Sequence, residues 1–186
     1  MEIVMIIASY LIGSLSLAQI LAKRKQIDLN SIGTNNPGAY NVYNEMNHFW
    51  GMTSGAFDIF KGMFPVFMGR VIFNFEFTYI ALITLAAVMG HMWPIYFRLK
   101  GGRGLATSLG TLFVLDFYLA FYVLILAGVI GFWFRFASKL KPRISLLLFP
   151  LFILSAYYLR EDIHLTLIGF FITIIIYIKS IELRYT

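Results

Sequence analysis

The chain has 186 residues, of which 60% are hydrophobic and 13% charged, and its formal net charge is +6. Because soluble domains contain about 25% charged residues, this composition excludes an ordinary soluble protein and indicates one that lies in a membrane. The absence of cysteine excludes disulfides, thiolate metal sites and a cysteine nucleophile. The three histidines, His48, His91 and His164, lack the spacing of metal ligands, so we expect no metal site.

The apolar runs predict an all-α fold, a polytopic integral membrane protein with about seven transmembrane helices. A transmembrane helix needs about 20 apolar residues, which leaves no room for a separate soluble domain, so we expect residues 1–186 to form a single membrane-embedded domain. The first run follows Met1 and Glu2 without the basic leader or cleavage site of a signal peptide, and we expect it to be retained as a span. The runs cover approximately residues 3–22, 52–70, 77–97, 105–116, 117–135, 144–159 and 163–179.

The fourth run, residues 105–116, is too short to cross a membrane by itself. It fits a half-helix, a tilted span or one arm of a re-entrant hairpin. Non-helical backbone at that depth is tolerated only where protein or water surrounds it. If residues 105–116 and 117–135 formed a hairpin that enters and leaves on one side, the chain would have five spans and not seven.

The basic residues lie at the ends of the apolar runs and form no extended patch, so the net charge does not indicate nucleic-acid binding. With the N-terminus outside, Arg70 and Arg160 fall outside and Lys61 falls within a span. Cytoplasmic loops carry an excess of lysine and arginine, so the remaining cations predict an N-out, C-in arrangement with seven crossings. These cations are Lys23, Arg24, Lys25, Arg98, Lys100, Arg103, Arg135, Lys139, Lys141, Arg143, Lys179 and Arg184.

The longest polar segment, residues 23–48, is rich in asparagine and glycine. This density of turn residues predicts an ordered loop up to about Pro37, and a short interfacial helix is expected from Ala39 onward. Amides, a hydroxyl and free backbone N–H groups in the loop could surround a phosphate, although a merely solvated turn would have a similar composition. The candidate residues are Gly33, Thr34, Asn36, Gly38 and Asn41.

Two ionisable residues, Asp58 and Lys61, lie inside the second apolar run. Residues three apart share one face of a helix and can form an ion pair. Because charges are costly inside a membrane, such a pair indicates a functional site by default. The alternative is a structural ion pair that fixes helix packing.

A glycine-rich basic segment, Lys100-Gly101-Gly102-Arg103-Gly104-Leu105-Ala106-Thr107, follows Gly90-His91-Met92-Trp93-Pro94 and the third run. Glycines let the backbone approach a ligand closely, and the helix expected from Leu105 would direct its N-terminal dipole toward an anion. The combination favours a phosphate site. The alternatives are a structural histidine and basic residues that only anchor the cytoplasmic side.

Taken together, these motifs resemble the bacterial acyl-phosphate-dependent glycerol-3-phosphate acyltransferases, the PlsY family. The resemblance covers nearly the whole chain, and the matching order and spacing of the motifs are far more specific than any one of them. The motifs are Tyr10-Leu11-Ile12-Gly13-Ser14, the glycine–asparagine loop, Asp58-x-x-Lys61-Gly62, Gly90-His91-x-x-Pro94 and Lys100–Thr107.

The resemblance implies acyl transfer from an acyl phosphate to the 1-hydroxyl of glycerol 3-phosphate, which gives lysophosphatidic acid for phospholipid synthesis. It implies no metal, no coenzyme A thioester and no other cofactor. It also implies a multi-pass protein of the bacterial plasma membrane with cytoplasmic active-site loops. The expected partners are the two substrates and membrane lipids, with no nucleic acid, and the sequence leaves a protein partner open.

On this resemblance we expect Thr34, His91, Lys100 and Arg103 to be catalytic. No side chain is an obvious general base, so we expect proton removal to rely on a substrate phosphate. The residues expected to bind substrate are Gly33, Asn36, Gly38, Asn41, Asp58, Lys61, Gly101, Gly102, Gly104 and Thr107.

The sequence departs from the family pattern in three segments. In the first loop, Thr34 stands where the family has serine, Asn35 where it has glycine, Tyr40 where it has threonine and Asn44 where it has arginine. Arg103 stands where the family has lysine, and Ile178–Thr186 lacks most of the usual C-terminal motif. Loss of the arginine removes a bidentate phosphate donor. Two alternatives therefore stay open: a non-catalytic homologue that binds lipid or a protein partner, and an acyltransferase with a changed acceptor. A small transporter is disfavoured, because no matching pair of broken helices in inverted halves is visible.

Overall fold

The computed structural model describes residues 1–125 and 162–185, and every regular element in these two segments is helical. The all-α prediction is therefore confirmed for the described part of the chain. The elements are α1 (Glu2–Gly13), α2 (Leu17–Arg24), α3 (Ala39–Glu45), α4 (His48–Phe67), a π-helical turn (Met68–Ile72), α5 (Phe77–Met92), a 3₁₀ turn (Ile95–Phe97), α6 (Leu105–Leu115), α7 (helical over residues 117–125) and α8 (Ile163–Tyr185).

Three helical stretches in the described residues are long and apolar enough to cross a membrane: Glu2–Arg24, Phe77–Phe97 and Ile163–Leu183. Their length and hydropathy agree with the membrane class predicted from composition. Most of the predicted run 117–135 and all of the run 144–159 lie outside the described residues, so the number of crossings stays a prediction.

The first apolar run contains two helices and not one. α1 ends at Gly13, and the Ser16 side chain accepts a hydrogen bond from the Gln19 N–H at 3.3 Å at the start of α2. A serine oxygen at this position satisfies one of the N–H groups that a new helix leaves unpaired. The break exposes the Leu15 carbonyl oxygen, which accepts a hydrogen bond from Lys61 Nζ at 2.5 Å.

The fourth run forms the short helix predicted for it. α6 has 11 residues, about 16 Å at 1.5 Å per residue, and cannot cross a hydrocarbon core of about 30 Å. At its C-terminal end, Arg70 Nη1 donates hydrogen bonds to the Val114 and Leu115 carbonyl oxygens. Asp116 then accepts a hydrogen bond from the Leu119 N–H at 2.9 Å, which caps the start of α7.

Glycines allow two pairs of helices to pack closely, Gly13 and Gly90 between α1 and α5, and Gly62 and Gly110 between α4 and α6. A methyl group built on any of these four glycines would lie 2.0–2.2 Å from a carbonyl oxygen of the facing helix. Small residues at such positions let helix backbones approach in a membrane, where lipid removes the hydrophobic drive for helix association. The glycine contacts join α1 to α5 and α4 to α6, and α5 also packs against α4 and α6.

Candidate active site

The glycine-rich loop, taken here as residues 94–104 between α5 and α6, folds back over the end of α5. Its left-handed residues, Arg98 (φ 53°) and Leu99 (φ 61°), reverse the chain, and the Gly101 N–H then donates to the Met92 carbonyl oxygen at 3.2 Å. Side chains from the first two helices hold the loop from the other side. Gln19 Nε2 donates to the Lys100 carbonyl oxygen at 2.8 Å. The sequence does not predict this contact, because the residues around Gln19 form no recognisable motif.

Gly102 lies where His91 meets the loop. A methyl group built on Gly102 would lie 2.5 Å from His91 Nε2 and 3.5 Å from Asn36 Oδ1. The predicted site residues His91, Gly102 and Asn36 therefore converge, and the asparagine loop (Gly33–Asn41) lies next to the glycine-rich loop at this point.

The loop ends at the N-terminus of α6. Gly104 is the N-cap residue, with φ +86°, in the left-handed region that favours glycine, and no side chain caps the helix. The hydroxyl oxygens of Thr107 and Ser108 in the first turn are buried without a hydrogen-bond partner. Because the first N–H groups of a helix also lack intrahelical partners, this end of α6 is suited to an anion.

Asn41 shapes the asparagine loop from inside. Its side-chain amide donates to the Leu29 and Ile32 carbonyl oxygens, both at 3.0 Å, and its Oδ1 accepts a hydrogen bond from the Thr34 N–H at 3.0 Å. Asn41 is fully buried, whereas Thr34 is exposed. This geometry favours a positioning role for Asn41 over the substrate contact expected from the sequence.

Asn36 links the two loops. A methyl group on Gly38 would lie 3.2 Å from Asn36 Nδ2, and the Oδ1 atom, which faces Gly102, is buried without a hydrogen-bond partner. An amide oxygen of this kind is an unused acceptor. It could accept a hydrogen bond from a substrate hydroxyl placed between the loops.

Asp58, Lys61 and His91 form a buried cluster behind the glycine-rich loop. Lys61 Nζ lies 2.8 Å from Asp58 Oδ1, and His91 Nδ1 lies 3.4 Å from the same oxygen. The i,i+3 ion pair predicted from the sequence is thus present. Asp58 and Lys61 are only 3% and 1% exposed. This burial favours a role in orienting His91 over the direct contact with substrate that the sequence analysis expects.

The cations of the loop differ in exposure. Lys100 is exposed and Arg103 is partly buried. Asp28 belongs to the same face: hydrogen bonds from the Asn30 backbone and side chain lower the pKa of its carboxyl group, and the charge of Lys100 acts in the same direction. Asn44, where the family pattern has arginine, is exposed and donates to the Tyr40 carbonyl oxygen at 3.1 Å.

A metal site is not apparent in residues 1–125 and 162–185, where no three His, Cys, Asp or Glu residues are grouped closely enough to hold an ion.

A family model described as "Glycerol-3-phosphate acyltransferase" matches residues 3–183. Among similar proteins, the glycerol-3-phosphate acyltransferase of Endomicrobium trichonymphae is 33% identical over 176 residues, which are 94% of this chain and 86% of that protein. Glycerol-3-phosphate acyltransferase 1 of Bacillus anthracis is 33% identical over 182 residues, 96% and 93% of the two chains.

Two crystal structures of PlsY (YgiH), an integral membrane glycerol 3-phosphate acyltransferase, have a similar fold. The glycerol 3-phosphate form superposes with a TM-score of 0.86 at 27% identity, and the lysophosphatidic acid form with 0.83 at 26%. Each superposition covers 97% of this chain and 88% of the other.

Proposed function

The chain belongs to the glycerol-3-phosphate acyltransferase family, and from this premise we propose that its two loops bind glycerol 3-phosphate and an acyl phosphate for transfer of the acyl group. The convergence of Asn36, His91 and the glycine-rich loop at Gly102 is the observation that carries the proposal. The product of the family reaction, lysophosphatidic acid, retains the phosphate of the acceptor and gains the acyl chain of the donor.

Phosphate binding is assigned to the glycine-rich loop and the start of α6. Lys100 and Arg103 provide positive charge, and the first-turn N–H groups of α6 provide donors that need no reorganisation. The same groups would stabilise negative charge that develops on the acyl carbonyl oxygen in the transition state. From the other loop, Asn36 approaches Gly102, and we assign its neighbours Gly33, Thr34 and Gly38 to the same site.

The chemical step needs only groups of the substrates and their alignment. The 1-hydroxyl oxygen attacks the acyl carbonyl carbon, the bond from that carbon to the phosphate oxygen breaks, and inorganic phosphate leaves. The hydroxyl proton passes to a phosphate oxygen. Asn36 Oδ1 would orient the hydroxyl, His91 would orient the loop or relay the proton, and holding two reactants in place supplies a large part of the rate.

An apolar groove next to the start of α6 is suited to the acyl chain. Its walls come from α6, α7 and α8 and are almost entirely aliphatic. Residues that line it include Leu105, Leu109, Leu112, Leu119, Leu165 and Ile172. Because the groove begins beside the phosphate-binding end of α6, a donor could place its head group in the loop and its chain along the groove.

Replacement of Lys100 by alanine tests the phosphate assignment. We expect kcat/KM for glycerol 3-phosphate to fall about tenfold to 100-fold, since a charge-assisted hydrogen bond contributes about 1.5–3 kcal/mol. The measurement is release of inorganic phosphate and lysophosphatidic acid by purified protein, with Lys25→Ala, an exposed lysine near the same face, as the control. Turnover unaffected by Lys100→Ala would contradict the assignment, and turnover with another acceptor in a panel would identify a changed substrate.

The proposed topology is N-out and C-in with seven spans of one domain in the bacterial plasma membrane, and it places both loops in the cytoplasm. The positive-inside distribution of charge supports it. Because the chain has no cysteine, single cysteines report sidedness directly. We expect Asn74→Cys to react with an impermeant maleimide in intact cells and Lys25→Cys to react only after permeabilisation; the reverse pattern would invert the topology.

A further inference from the structure

The C-terminal part of α8 contacts the start of the glycine-rich loop through three side chains that each touch the other two. Lys179 Nζ lies 2.6 Å from Glu182 Oε1, and Trp93 Nε1 donates to Glu182 Oε2 at 3.0 Å. Lys179 Nζ also lies 5.3 Å from the centroid of the Trp93 ring. We call Trp93, Lys179 and Glu182 the α8 triangle.

The triangle is a firm contact because each of its charges has a partner. Lys179 is completely buried. Its carboxylate partner and its other contacts must compensate for the hydration that the ammonium loses on burial. A cation over an indole face adds further attraction, which is stronger where water is excluded. Removal of the Glu182 carboxylate would leave the buried Lys179 ammonium without this counter-charge.

Trp93 connects the triangle to the catalytic loop. It directly follows α5, two residues after His91, and precedes Pro94 at the start of the loop. Its own carbonyl oxygen accepts a hydrogen bond from the Tyr10 hydroxyl at 2.7 Å. Trp93 is therefore held between α1 and α8, and any shift of its ring moves the base of the loop that carries Lys100.

We propose that Lys179 and Glu182 are positioning residues which hold the glycine-rich loop through Trp93 and so set the affinity for glycerol 3-phosphate. The inference rests on the proposed role of that loop in binding the substrate phosphate. Lys179 has no exposed surface, so it acts through Trp93 and not by touching substrate. Lys179 and Glu182 lie in Ile178–Thr186, the segment where the sequence departs most from the family pattern, so we infer that this way of holding the loop is particular to this chain.

Steady-state kinetics of Lys179→Met and Glu182→Gln test the proposal. We expect the KM for glycerol 3-phosphate to rise about tenfold, with kcat changed less than about threefold, because a displaced loop weakens binding of the substrate phosphate. The double variant should be no worse than the poorer single variant, since both remove one shared contact. Lys179→Arg should restore most of the affinity.

Two further measurements distinguish a positioning role of these residues from a general effect on folding. Trp93→Phe retains an aromatic ring beneath Lys179 but removes the five-membered ring that carries the indole N–H, so it should fold and still raise the KM for glycerol 3-phosphate. Hydrogen exchange of the amides in residues 94–104 should be faster in Lys179→Met than in wild type, and unchanged in Lys25→Met. Exchange that does not change, or a fall in kcat with both KM values constant, would overturn the proposal.

The exchange experiment also separates this inference from the proposed function. If wild-type protein showed no turnover but Lys179→Met still exchanged faster in the loop, the positioning contact would stand and the substrate assignment would fail. If wild type turned over normally and Lys179→Met, Glu182→Gln and Trp93→Phe all kept its KM and exchange rates, the function would stand and the triangle would have no positioning role.

Discussion

Replacement of Gly102 by alanine is expected to lower kcat/KM for glycerol 3-phosphate by about 100-fold or more while the protein stays folded. The new methyl group would lie 2.5 Å from His91 Nε2, well inside van der Waals contact. His91 cannot easily move away, because it is buried and its other ring nitrogen faces Asp58. The loop must shift instead, which separates it from Asn36 and misaligns the two substrates.

Gly55→Ala is the matched control, because a methyl group there would lie 3.3 Å from only one atom, Ala39 Cβ, and would touch neither His91 nor the glycine-rich loop. It should leave turnover and thermal stability close to wild type. A double-mutant cycle with His91→Ala tests the cause: in that background Gly102→Ala should cost little, since the clashing ring is gone. A full 100-fold loss in both backgrounds would show that the methyl group acts elsewhere.

Much of the site could be predicted from the sequence, because the residues that mark it lie close together along the chain. Lys100–Thr107 combines glycines, cations and a helix start within eight residues, and α6 begins at Leu105 as expected. Asp58 and Lys61 pair because the helical repeat places residues three apart on one face. The short helix beginning at Ala39 follows from the end of the turn-rich segment.

The remaining features depend on contacts between distant parts of the chain. The sequence predicts substrate contact for Asn41, because it does not show which groups a loop asparagine will bond. In the structure the Asn41 side chain forms its hydrogen bonds with the loop backbone. The break after Gly13 was missed because hydropathy alone does not register a serine cap. Lys179 was counted only as a cytoplasmic charge, since its partner Trp93 lies 86 positions earlier in the sequence.

The buried ion pair between Asp58 and Lys61 explains how His91 is held in place beside the glycine-rich loop. Lys61 makes two contacts, to Asp58 on its own helix and to the Leu15 carbonyl oxygen at the break between α1 and α2. Asp58 in turn faces His91 on α5. One carboxylate and one ammonium thus join three parts of the helical bundle, and the loop packs against the histidine that they hold.

Substitution of Asp58 by asparagine is therefore expected to destabilise the folded protein by about 3–5 kcal/mol, because it leaves the Lys61 ammonium buried without its counter-charge. The measurement is thermal unfolding of the detergent-solubilised protein, together with the yield of folded material. The double variant Asp58→Asn/Lys61→Met removes both charges and should recover most of that stability. Its kcat/KM should nevertheless stay low, because His91 has lost the carboxylate that faces its Nδ1 atom. Recovery of both stability and turnover would mean that the pair serves packing alone, whereas recovery of stability without turnover would separate the cost of a buried charge from the orientation of His91.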